Sequence, residues 1–246
     1  MRLWLNSDVG ERPEALRDGS EEELLRLLDW ANIACGGHAG DEECMAQVVE
    51  LCRKHRVQIG AHPSYPDRER FGREALDLSG GTISQFVFEQ VISLDAIARA
   101  EGVKVRHVKP HGALYNKAAR DPAVALAIAE GVGRWNRQAI LVGLAGSSML
   151  GVWQGRGFSV AAEVFADRRY EPDGSLRARS SPDALIVNPE EAAAQVLLAS
   201  KGSVRAWDGS EIAVSATTVC VHSDTPQAPA IALAIHRLLR QTSTAR

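Results

Sequence analysis

Short apolar runs that stop abruptly on polar groups recur along the chain, separated by longer stretches whose apolar residues return every three or four positions. The first pattern marks strands, the second amphipathic helices. Leu3-Trp4-Leu5 breaks off at Asn6-Ser7-Asp8-Val9-Gly10-Glu11, which puts Asp8 at the carboxyl end of a strand. Ser20 and Glu23 have the spacing of a capping box ahead of Leu24, Leu25, Leu27 and Leu28 and predict a helix over about 21–29. Trp30 to Cys35 is the next apolar stretch. It runs into Gly36-Gly37-His38-Ala39-Gly40-Asp41, where glycines around a histidine point to a backbone that approaches something closely. Asp41 then caps a helix over roughly 42–55, with Glu42 and Glu43 in its first turn and Lys54, His55 and Arg56 in its last.

The alternation continues. Val57 to Ala61 reads as a short strand followed by His62-Pro63-Ser64-Tyr65-Pro66-Asp67. Thr82 with Gln85 opens an amphipathic helix through Ile83, Phe86, Val87, Val91, Leu94 and Ile97 that closes at Gly102. Val103 to Arg106 has strand character, and a period of two turns Val103, Val105, His107 and Lys109 to one face. Pro110 and Gly112 stop that strand and argue against a helix that would pair His107 with His111 as ligands. Asp121-Pro122 starts an alanine-rich helix to about 130, Ala139 to Val142 enters the turn Gly143-Leu144-Ala145-Gly146-Ser147, and Ser159 to Ala162 ends on Glu163. The basic, turn-rich segment from Asp167 to Pro182 reads as a lid. Asn188-Pro189 opens a helix to about Ser200, Val204 to Ala206 and Ile212 to Val214 pair across Asp208-Gly209 as a hairpin, and Thr217 to Val221 ends on His222. Asp224 or Thr225, with Pro226, caps a terminal helix.

Strands alternating with helices in this way call for a parallel sheet, and at 246 residues a closed (β/α) barrel in a single domain is the economical arrangement, ahead of an open doubly wound sheet. In either architecture the strands' carboxyl ends share one rim. There the sequence places Asp8, His38, His62, His107 with Lys109 and His111, Glu163, and His222 with Asp224. All but two of the seven histidines, His55 and His236, occupy such turns, which packing alone does not explain. A shared catalytic rim is the expected function of that pattern.

Composition narrows the partners. A net charge of -3 gives no general attraction to nucleic acid or to an anionic membrane surface. No apolar run reaches the roughly 18 residues that would span a bilayer. The four cysteines form no CxxC pair, and burial is the expected state of Cys35 beside the glycine-rich turn, so a reduced cytoplasmic setting is expected. Neither a Walker loop nor a GxGxxG fingerprint is present; Gly143 to Ser147 can offer backbone N–H groups to an anion or simply make a tight turn. Asp8, His38 and His62 can ligate a divalent metal such as magnesium or zinc, or form a hydrogen-bonded network. Glu163 and Asp8 are candidate carboxylates for activating water, and Lys109, Arg168, Arg169, Arg177 and Arg179 can supply charge for phosphate.

Taken together, Leu5 to Glu11, Ala31 to Asp41, Gly60 to Asp67, His107 to Asn116, Gly143 to Ser147, Ala162 to Arg168 and Cys220 to Pro226 resemble the LamB/YcsF family, in one collinear order over nearly the whole chain. The resemblance implies an irregular seven-stranded (β/α) barrel, TIM-barrel-like and related to glycoside hydrolase and deacetylase barrels. It implies the ATP-dependent cleavage of 5-oxo-L-proline to L-glutamate, ADP and phosphate, with 5-oxoprolinase subunits B and C as partners. On that reading Lys109 and Arg168 face phosphate or oxyanion charge, His111 and His62 move protons, and Glu163 or Asp8 positions water or a cation. Asn32, His38, Asn116, Asp167, His222 and Asp224 then contact substrate or phosphate. Alternatives are a metal-dependent amidohydrolase or deacetylase that needs no ATP, and a non-catalytic lactam-binding subunit; a homo-oligomer stays open. Gly37 stands where the family commonly has phenylalanine, Glu42 where it has proline and Ser223 where it has glycine, and the missing phenylalanine is expected to widen the pocket near His38.

Overall fold

In a computed structural model, which describes residues 3–244, seven parallel strands close into a barrel. They are β1 (Trp4–Val9), β2 (Trp30–Ala34), β3 (Gln58–His62), β4 (His107–Val108), β5 (Ile140–Leu144), β6 (Ser159–Phe165) and, after a separate antiparallel hairpin of β7 (Ser203–Arg205) and β8 (Glu211–Ala213), the closing strand β9 (Thr218–Cys220). Strand β9 pairs with both β6 and β1, so the barrel has no free edge. The helices lie outside: α1 (Pro13–Asp18), α2 (Ser20–Leu25), α3 (Glu42–His55), α4 (Gly80–Ala100), α5 (Gly112–Ala118), α6 (Pro122–Trp135), α7 (Ser148–Gly155), α8 (Pro189–Ser200) and α9 (Ala228–Thr244). Among the described residues no helix is long and apolar enough to cross a membrane.

The period of two along each strand divides the molecule into two layers. Outward residues such as Leu5, Val9, Ile33, Ile59, Val108 and Leu141 join the main apolar core between barrel and helices. The lumen is different. Its closed, amino-terminal end holds a small apolar plug in which Ile140 packs against Trp30, Val142 and Ala161. Trp30 stacks between Trp4 and His107, with ring centroids 6.2 and 4.9 Å away. Above that plug the inward positions carry Asn6, Asp8, Asn32, His62, Lys109 and Glu163, all buried. Gly60 is part of this arrangement, because a Cβ there would run into the His107 ring. All four cysteines, Cys35, Cys44, Cys52 and Cys220, are free thiols and buried.

Several local expectations change in the structure. Ser20 and Glu23 form no capping box: Ser20 is already inside α2, Gly19 at φ 83° is the cap, and α1 precedes it with Pro13 in its first turn. Helix α4 starts at Gly80 with the Ser79 hydroxyl accepting from Thr82 N, so Thr82 is a capped residue rather than the cap. The strand leading to Lys109 shrinks to His107–Val108, although Arg106 N and Lys109 N still donate to Ile59 O and Ala61 O on either side of it. Directly after it, α5 begins with His111 as its N-cap. Strand β6 continues past Glu163 to Phe165, which moves Glu163 from the rim into the lumen. Neither Asp224 nor Thr225 caps α9; Arg179 and Arg73 hold the Asp224 carboxylate and Thr225 donates to Asp167. Asp41, Asp121 and Asn188 do cap their helices as the sequence implies.

Glu21 supplies a test of how tightly α2 closes over β1. Its carboxylate is buried and accepts from Gly10 N, and burial pushes its pKa from 4.5 up to about 7. The folded chain therefore holds that proton more tightly than the unfolded chain, and stability is lost as the pH climbs from 4.5 through about 7. Glu21→Gln should match the parent at pH 4 and exceed it by about 3 kcal/mol at pH 8 in urea unfolding. Equal stability at both pH values would show that the carboxyl is solvated.

Candidate active site

A cavity of about 280 Å³ opens at the carboxyl ends of the strands. Its floor is the lumen's polar column. Lys109 Nζ lies 2.9 Å from Asp8 Oδ1 and 3.0 Å from Glu163 Oε1, and its third direction points to Cys220 Sγ at 3.2 Å. An ammonium in so dry a place is stable only because two carboxylates face it. Burial alone would lower its pKa, but Asp8 and Glu163 raise it well above the usual lysine value. Asp8 answers in kind: burial pushes its carboxyl up, and His62 and Lys109 pull it down further, to well below the usual range.

Neutral donors take up further lone pairs of the two carboxylates. Asn32 donates to Asp8 Oδ1 at 2.8 Å and to Asn6 Oδ1 at 2.8 Å. Asn6 donates to Glu163 Oε1 at 3.0 Å, and the Tyr115 hydroxyl donates to Glu163 Oε2 at 2.9 Å. His107 Nε2 donates to Asn32 Oδ1 at 2.8 Å, and burial brings the His107 pKa down to about 3, so it is a neutral orienting group one layer below the floor.

A second cluster forms the adjoining wall. His62 Nδ1 donates to the Lys109 carbonyl at 2.7 Å, and His111 Nε2 donates to the Phe71 carbonyl at 3.0 Å. Their other nitrogens, His62 Nε2 and His111 Nδ1, face each other at 3.0 Å. Glu11 Oε1 stands 3.1 Å from His111 Nδ1 and 2.8 Å from His38 Nε2. Burial pushes the Glu11 carboxyl up, but its contacts with His111 and His38 more than reverse it and leave it far below normal. His38 stacks flat on His111 at 3.6 Å, and burial brings its pKa down to about 3.

The opposite wall is cationic and apolar. Phe165 stacks on His222 at 5.2 Å, and Asp167 fixes that imidazole through His222 N at 2.9 Å and Nδ1 at 3.1 Å. Burial raises the Asp167 carboxyl, the contacts from His222 and Thr225 outweigh it, and the result is a pKa of about 2. From the segment after β6, Arg177 pairs with Glu171 and Asp183, and Arg179 pairs with Asp224 at 2.9 Å. Arg168 is buried yet pairs with no carboxylate among the described residues; one guanidinium nitrogen donates to the Arg177 carbonyl and its Nε has no partner. Burial and the neighbouring Arg179 draw its pKa down to about 10.

Of the residues singled out in the sequence, Asp8, His62, Lys109, His111, Asn116, Arg168, His222 and Asp224 line the cavity. Glu163, Asn32, His38 and Asp167 lie behind that lining, where they hold Lys109, Asp8, Glu11 and His222. Of the expected ligand trio, His38 and His62 gather around Glu11 and His111, while Asp8 turns Oδ1 to Lys109 and Asn32 and keeps Oδ2 3.3 Å from His62 Nε2. Gly143 to Ser147 is a tight turn that does not line this cavity, and the Ser147 hydroxyl bonds Leu144 O. Sequence reasoning missed Glu11, Arg73 and Phe165 as lining residues. Glu11 had a signal, since it follows Asp8 across Gly10, whose φ of 72° turns the chain back toward the mouth.

A profile of the LamB/YcsF family matches residues 3–246. This chain belongs to the LamB/YcsF family. It is 50% identical over 236 residues, 96% of this chain and 94% of the relative, to a protein of Chloroflexus aggregans named as the A subunit of 5-oxoprolinase. A protein of Methylococcus capsulatus with the same name is 48% identical over 98% of this chain and 92% of its own. The crystal structure of a lactam utilization protein from Thermus thermophilus superimposes with a TM-score of 0.89 at 39% identity, covering 99% and 98% of the two chains. Against the LamB/YcsF pattern, glycine at position 37 leaves no widened pocket. A Cβ there would meet Ser64 Oγ at 2.6 Å, because Gln90 fills the space and bonds both Ser64 N and Ser64 O.

The column predicts a mutational signature. Lys109→Met leaves Asp8 and Glu163 buried without their shared cation and should cost roughly 3–5 kcal/mol in urea unfolding. Adding Asp8→Asn and Glu163→Gln should recover most of that loss. A cost under about 1 kcal/mol for the single change would mean that water already screens the pair.

Proposed function

We propose that this chain is the A subunit of a multi-subunit 5-oxoprolinase and carries the lactam site at which 5-oxo-L-proline is opened to L-glutamate with conversion of ATP to ADP and phosphate. The observation that carries the reading is Arg168, a buried guanidinium without a carboxylate partner among the described residues, facing a small cavity whose floor is the Asp8-Lys109-Glu163 column. The substrate is a flat five-membered ring with a single carboxylate. That carboxylate suits the Arg168 guanidinium, while the ring suits the apolar surface of Phe165, Leu176 and Ala113. The names of the relatives at 50% and 48% identity point to the same substrate.

An amide is a poor electrophile because its nitrogen shares its lone pair with the carbonyl. Transfer of a phosphoryl group to the lactam oxygen removes that protection. Water then adds to the ring carbon, the C–N bond breaks as nitrogen takes a proton, and a second water cleaves the resulting acyl phosphate to the carboxylate and free phosphate. Lys109 is suited to holding charge on the lactam oxygen, because its contact with Cys220 Sγ is its weakest and exchanges at least cost. Asp8, beside His62 and His111, presents a carboxylate oxygen to that side of the cavity, which orients the attacking water and takes up its proton. The chain has no Walker loop, and we assign nucleotide coupling to the assembly with subunits B and C.

The test is glutamate and phosphate release from 5-oxoproline and ATP, measured for this chain with and without the two partner subunits. Turnover should need the assembly and ATP. Arg168→Ala should raise KM about tenfold or more, the worth of one charge-assisted hydrogen bond, with a smaller change in kcat. Glutamate release without ATP would replace the reading with simple amide hydrolysis, and no release by the assembly would end it.

A further inference from the structure

Three donor atoms in the cavity wall have no reason to be so close. His62 Nε2 and His111 Nδ1 are 3.0 Å apart, Glu11 Oε1 is 3.1 Å from the second, and it is 3.7 Å from the first. Each imidazole spends its N–H on a backbone carbonyl, Lys109 O for His62 and Phe71 O for His111. In the neutral rings both inward nitrogens are therefore bare lone pairs, turned toward each other and toward a carboxylate. Such an arrangement repels itself unless something positive sits between its members.

We propose that Glu11, His62 and His111 form a binding site for a divalent transition-metal ion of the zinc type. Metal bonds to imidazole nitrogen and carboxylate oxygen are about 2.0–2.2 Å, so neighbouring ligands around one ion stand roughly 3.0–3.5 Å apart, close to the spacings seen. Carbonyl bonds on the outer nitrogens are what orients ligand histidines in metal sites. Two imidazoles with one carboxylate favour zinc, manganese, iron or cobalt over magnesium, which prefers oxygen ligands alone. His38 is the supporting residue. It donates to Glu11 Oε1 at 2.8 Å and stacks on His111, but its own Nδ1 has no partner, unlike the outer nitrogens of the two ligands. Asp8 Oδ2, 3.3 Å from His62 Nε2, offers a further oxygen beside the site.

A rival group, Asp8 with Cys220 and His222, fits less well. The Lys109 ammonium already touches its thiol at 3.2 Å and its carboxylate at 2.9 Å, so that place holds a cation. A thiol kept protonated by burial is also a poor ligand.

The full chain, stripped with a chelator, would be titrated with cobalt and with zinc. Metal content, calorimetry and visible absorption would be recorded, with thermal unfolding to confirm the fold of each variant. About one equivalent should bind, and cobalt should give visible bands without the intense near-ultraviolet band of a thiolate ligand. His111→Ala and Glu11→Gln should weaken binding at least a hundredfold or so, Glu11→Asp should keep part of it, and Cys220→Ser should leave it unchanged. Three results would each overturn the proposal: no bound metal at saturation, which leaves a shared proton as the occupant; binding unaffected by Glu11→Gln and His111→Ala; or binding lost in Cys220→Ser. No substrate or partner subunit enters the measurement, so its failure leaves the lactam reading untouched, and a failed turnover assay leaves the metal site untouched.

Discussion

A single ammonium, that of Lys109, holds the centre of the molecule together. It stands where strands β1, β4, β6 and β9 converge, and the carboxylates it faces, those of Asp8 and Glu163, come from residues far apart in the chain. Burying these charges is tolerable only with most of their lone pairs engaged, and that demand reaches outward through Asn6, Asn32, Thr218, Tyr115 and His107. The barrel lumen is consequently a network of directional contacts. The apolar packing that stabilises most barrels from within is moved to the layer between strands and helices and to a plug at the closed end.

On top of this floor the cavity has two unlike sides. One gathers lone pairs, from Glu11, His62 and His111; the other gathers guanidinium groups, from Arg168, Arg177 and Arg179. A molecule held across that divide meets cations at one end and electron-rich atoms at the other. The proposed lactam, an anionic ring whose amide is to be attacked, is suited by such a division.

Much of this was visible in the chain itself. Alternation along Val103 to Lys109 shows which side chains share a face, and the recurrence of polar groups after apolar runs shows that they share a rim. The seven-stranded closure came from the family resemblance, since periodicity cannot distinguish a barrel from an open sheet. Depth within the barrel was not legible. Glu163 reads as a rim residue until pairing with β9 carries β6 on to Phe165. Nor was the partner choice of Asp8: nothing local says that it turns to Lys109, leaving Glu11 to meet the histidines, because that outcome depends on a three-way competition settled across the lumen. Capping failed at Ser20 for a simpler reason, since Gly19 at φ 83° had already turned the chain.

The four cysteines carry a practical consequence. Burial raises every one of these thiols, Cys35 to about 12 and Cys44 to about 11, so almost no thiolate exists near neutral pH and no sulfur is open to solvent. They are distributed over the β2 exit, helix α3 and strand β9. Alkylating reagents should therefore find nothing to modify in the native barrel. The order in which the sulfurs become reactive under mild denaturant would map which staves of the barrel separate first.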